Sequence, residues 1–98
     1  MRNIYWGILG LVLHVGSLVA AEPPLTEKQW QVDGVTRKGL MYTPPKAKDL
    51  ATPVVFVFHG HGGNMNFSAR SFNLHTHWPD AIVVYLQGLN TPGKLTDP

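Results

Sequence analysis

The sequence predicts an α/β fold built as a β-hairpin followed by a βαβ unit. Three observations predict it. Val54-Val55-Phe56-Val57-Phe58 and Ala81-Ile82-Val83-Val84-Tyr85 are wholly apolar runs rich in β-branched and aromatic residues, the pattern of strands in a sheet covered on both faces. The segment between them opens on Asn64, a helix-capping residue, and continues through Met65 to Leu74 with mixed polarity, which fits a crossover helix. Upstream, Asp33-Gly34 separates two strand-like segments and supplies the residue pair that tolerates positive φ in a tight hairpin turn.

Taken in order, the chain begins with a leader. Arg2 supplies a positive n-region, Ile4 to Leu13 run without a charge, and Val19-Ala20-Ala21 are small residues suited to a signal peptidase. Residues 1–21 are therefore expected to be a signal peptide, cleaved after Ala21, and the mature chain to be secreted or periplasmic. An uncleaved anchor is the alternative, because Ile4 to Ala21 just reaches the roughly 18 apolar residues that a membrane span needs. Gly7, Gly10, His14, Gly16 and Ser17 weaken that alternative. Residues 22–27, opening Glu22-Pro23-Pro24, read as a stiff linker. Residues 28–98 read as the N-terminal part of a larger domain.

Within that part, Lys28 to Val32 and Val35 to Tyr42 form the hairpin strands, although Gly39 interrupts the alternation of the second. Pro44-Pro45 removes two backbone donors and ends it, and Lys46 to Thr52 is a polar connection. The first apolar strand follows and stops at His59-Gly60-His61-Gly62-Gly63, where three glycines in five positions require a sharp turn or a close approach. Phe67, Ser68, Ser71 and Phe72 give the helix a rough 3–4 spacing, and Trp78-Pro79-Asp80 ends it. The crossover is expected to be right-handed. Trp30, Phe56 and Phe58 are expected in the core, and Tyr85 and Gly88 could rim a pocket.

Composition excludes several functions. There is no cysteine, so disulfide frameworks, Cys-ligated metal centres and thiol nucleophiles are ruled out. A net charge of +2 without a basic run does not suit a nucleic-acid binder. With 44% hydrophobic and 14% charged residues, the composition is that of a globular protein.

The chemistry-bearing feature is the bend at residues 59–63. In open α/β sheets ligands gather beyond the carboxyl ends of the strands, and this bend lies just there in the sequence. Glycines there let two or three amides aim at one point and leave no Cβ in the way of a substrate oxygen, the requirement for holding an oxyanion. Strand, His-Gly turn and helix together resemble the oxyanion loop of α/β-hydrolases, whose esterases and lipases carry an HGGG-type motif. The longer strings GVTRKGLMYTPP, PVVFVFHGHGG and DAIVVYLQGL resemble the opening of the secreted polyhydroxybutyrate depolymerase and feruloyl-esterase-like group, over about Trp30 to Asn90.

The resemblance implies the N-terminal part of an α/β-hydrolase fold and a secreted serine carboxylic-ester hydrolase. Its substrate is an ester, and neither a cofactor nor a metal is required. The backbone N–H groups of His61 and then Gly62 would be the oxyanion donors, with His59, Gly60 and Gly63 shaping the loop. No catalytic residue is assigned, because the triad order Ser, Asp or Glu, His lies downstream of this loop. The serines are Ser17, Ser68 and Ser71, and none sits in G-x-S-x-G. The chain is therefore expected to be a hydrolase fragment, inactive alone and poorly soluble because its sheet is incomplete.

Two other classes compete. The pairs His59/His61 and His75/His77 could bind a metal in a secreted protein, since residues i and i+2 share a face of a strand. Gly62, Gly63 and Asn64 supply none of the further ligands such a site would need after His61. A non-catalytic secreted module is the third class, with no ligand indicated by the sequence.

Overall fold

The computed structural model describes Gly10 and residues 23–92. The expected signal peptide and the last residues of the tail lie outside the described residues. Strands β1 (Thr26–Val32) and β2 (Val35–Tyr42) form the antiparallel hairpin. Strand β1 begins two residues inside the segment read as linker. Asp33 and Gly34 have φ of 50° and 76°, the two positive values of a type I′ turn, whose twist matches that of the strands it joins. Val32 pairs with Val35 to close it. At Gly39 the Trp30 ring lies so close that a Cβ would come within 3.2 Å of it, so the missing side chain is replaced by a neighbouring aromatic surface.

A short 3₁₀ turn, Pro45–Lys48, leads into β3 (Val54–Phe58). Helix α1 (Met65–Phe72) follows, then a single helical turn α2 (Leu74–His77) and β4 (Ile82–Leu86). The sheet order is β1-β2-β4-β3: β4 runs antiparallel to β2 and parallel to β3, with Val54 opposite Ile82 and Phe58 opposite Leu86. The chain between β3 and β4 is thus a βαβ crossover joining adjacent parallel strands, in a small mixed α/β domain. Tyr42 Oη donates to the Pro79 carbonyl at 2.9 Å, fastening the end of β2 to the turn before β4.

Helix α1 begins where its cap begins. Asn64 Oδ1 accepts the Phe67 N–H at 2.8 Å, satisfying one of the orphan donors of the first turn. It ends at Asn73, whose φ of 47° breaks the helical path. The buried positions are Met65, Ser68 and Ala69, spaced i, i+3, i+4. The expected stripe is corrected here: Phe67 and Phe72 are 58% and 55% exposed. They lie off the stripe of Met65, Ser68 and Ala69 that the helix buries.

The main core cluster lies under the helices and contains Val57, Met65, Ala69, Ala81, Val83 and Tyr85, while Val84, also buried, faces the other side of the sheet. Alternation along the strands sends Val54, Phe56 and Phe58 the other way, and they are 50%, 57% and 72% exposed. The expectation of a sheet covered on both faces therefore fails for β3. Trp30, at 39% exposure, shares the open face with Phe56. None of Trp30, Phe56 or Phe58 belongs to the buried core. Among the described residues no helix is long and apolar enough to cross a membrane.

Candidate oxyanion-binding site

Because β3 and β4 are parallel neighbours, the segments that follow them emerge at the same rim of the sheet. Residues 59–63 after β3 and Gln87 to Thr91 after β4 line a cleft of about 460 Å³. His59, Gly60, His61, Gly62 and Gly63 all line it, so the structure brings together the whole predicted bend. Gly88 lines it too. Tyr85 does not: it is fully buried, and its hydroxyl accepts the Leu74 N–H at 2.9 Å and is hydrogen-bonded to His75 Nδ1 at 2.8 Å. A period of two along β4 explains the difference, because Tyr85 faces the helices with Val83.

The bend is a β-turn. The Gly63 N–H donates to the Gly60 carbonyl at 3.0 Å. Gly62, at the third position, has φ of 73°, whereas His61 is not among the positive-φ residues. That combination is a type II turn, which demands glycine or asparagine at its third position. The turn consumes the Gly63 amide. The N–H groups of His61 and Gly62, both exposed, donate to no acceptor among the described residues.

His59 joins the two rim segments. Its Nδ1 lies 2.8 Å from the Gly60 carbonyl, and its Nε2 accepts the Gly88 N–H at 2.8 Å. Gln87 was not singled out by the sequence. Its Oε1 accepts the Met65 N–H at 2.9 Å, its Nε2 donates to the Gly88 carbonyl at 2.9 Å, and the same nitrogen is 3.3 Å from His59 Nε2. The only sequence signal was position: a residue able both to donate and to accept, at the end of a buried strand and before a glycine.

No serine lines the cleft among the described residues. Ser68 is buried on the core side of α1 at 1% exposure. Thr91 brings a hydroxyl to the rim, and no imidazole or carboxylate among the described residues engages it. The two histidine pairs do not form a cluster. His75 is buried against Tyr85, with ring centroids 5.7 Å apart at 88°, and His77 is exposed on a helical turn, where i and i+2 do not share a face. Among the described residues no group of three or more His, Asp or Glu side chains could hold a metal ion. No protein-family model matches the chain, and no curated protein matches it in sequence.

Proposed function

We propose that this chain carries the oxyanion-binding element of a secreted serine ester hydrolase, whose nucleophile, base and acid are encoded outside these 98 residues. One observation carries the reading. Two amides, those of His61 and Gly62, donate to no acceptor among the described residues, at a glycine-built turn on the carboxyl rim of a parallel strand pair, beside an open cleft. Amides fixed before the reaction stabilise the negative charge of a tetrahedral adduct without reorganising, and one such donor contributes about 10²–10³ in rate. The resemblance of the surrounding strings to the polyhydroxybutyrate depolymerase and feruloyl-esterase-like group supports the same chemistry. Which acyl ester is cleaved depends on loops outside this chain.

The coding sequence beyond codon 98, read in all three frames, tests the proposal. A G-x-S-x-G turn, followed by an acidic residue and then a histidine, is the expected result. Unrelated sequence in every frame would contradict it. The 98-residue chain alone is expected to hydrolyse a chromogenic ester no faster than buffer. Turnover that disappears in Ser68→Ala would place the nucleophile within the chain and overturn the reading.

A further inference from the structure

The bend does not hold its place by its own turn alone, and the residues that brace it are identifiable. A carbonyl oxygen can only accept and a backbone N–H can only donate. The contact of His59 with the Gly60 carbonyl therefore requires a proton on Nδ1, and the contact with the Gly88 N–H requires a bare Nε2. The Gln87 amide nitrogen, 3.3 Å from Nε2, is also a donor and fits the same assignment. Both ring nitrogens are thus committed to neighbours.

Two glycines are shaped around this ring. A Cβ on Gly88 would lie 3.0 Å from His59 Nε2, and one on Gly63 would lie 3.1 Å from the Gly60 oxygen and 3.4 Å from His59 Cβ. Gln87 extends the brace into the helix through the Met65 N–H. The bend and the start of α1, adjacent in sequence, are consequently joined to the end of β4, more than twenty residues away, at two side chains.

We propose that His59 and Gln87 are positioning residues: a single-tautomer imidazole and a branching amide that hold the His61–Gly62 amides at the cleft. The role given to those amides rests on the hydrolase reading. The brace itself can be tested without an ester.

Uniform ¹⁵N labelling of the 98-residue chain reads imidazole protonation and backbone amide exchange, in solution or in sedimented protein alike. The expected spectrum has His59 solely as the Nδ1–H tautomer. Gln87→Ala is expected to speed exchange at the Gly63, Met65 and Gly88 amides about tenfold, leaving the hairpin amides unchanged. Gln87→Glu keeps an acceptor for the Met65 N–H but has no donor for Gly88 or His59. It should restore protection at Met65 and leave the bend amides fast. An Nε2–H or mixed tautomer at His59 would overturn the proposal. So would unchanged exchange in Gln87→Ala, or a Gln87→Glu chain in which bend and helix recover together, since that outcome makes Gln87 a helix anchor only. If the brace holds and the coding sequence carries no serine elbow, the hydrolase reading fails while the positioning role stands. The converse pair of results separates them equally well.

Discussion

Two glycine turns in this chain solve opposite problems. At Asp33-Gly34 both central residues have positive φ, and the turn is closed by the pairing of Val32 with Val35 on either side. Among the described residues no side chain from another element is hydrogen-bonded to it. At Gly60–Gly63 the turn's own hydrogen bond is supplemented by His59 and by Gln87, which reaches the bend from the far end of β4. A turn that only reverses the chain can be local. The turn at Gly60–Gly63 has no strand pairing across it, and the hydrogen bonds of His59 and Gln87 tie it to the end of β4 instead.

Alanine substitutions break this comparison most strongly where a Cβ meets the brace. Gly88→Ala and Gly63→Ala are each expected to destabilise by roughly 1–3 kcal/mol, because the new Cβ would press on His59 Nε2 at 3.0 Å or on the Gly60 carbonyl at 3.1 Å, measured by urea unfolding. Gly62→Ala is expected to cost about 1 kcal/mol, because nothing lies within 4 Å of its Cβ position and only the positive φ opposes it. Removing the helix cap in Asn64→Ala should also cost about 1 kcal/mol. Gly34→Asn, at a hairpin turn that accepts either residue, should change stability by less than about 0.5 kcal/mol. A larger loss at Gly34 than at Gly88 would remove the distinction between a self-contained and a braced turn.

The same contrast decides what could be read in advance. The hairpin, both apolar strands and the Asn64 cap were legible because each rests on local chemistry: turn residues, β-branched runs and one capping side chain. The position of the bend at the sheet's carboxyl rim was legible from the strand preceding it. Gln87 was not, because its partners at residues 59 and 65 become neighbours only through the crossover. Burial was misjudged for a related reason. An unbroken apolar run suits a strand covered on both faces, yet nothing among the described residues covers Val54, Phe56 and Phe58. Binding of a hydrophobic dye is accordingly expected, and should fall when Phe56 and Phe58 are replaced by serine.

His61→Pro tests the central claim most directly. Proline is favoured at the second position of a type II turn, so the substitution keeps the bend and deletes the His61 N–H along with the imidazole, the latter loss being shared by His61→Ala. In the proposed ester hydrolase, kcat is expected to fall about 10²–10³-fold with KM nearly unchanged, while His61→Ala, which retains the amide, stays within about twofold. A proline variant that folds normally and turns over as fast as the alanine variant would contradict the assignment of that amide to the oxyanion.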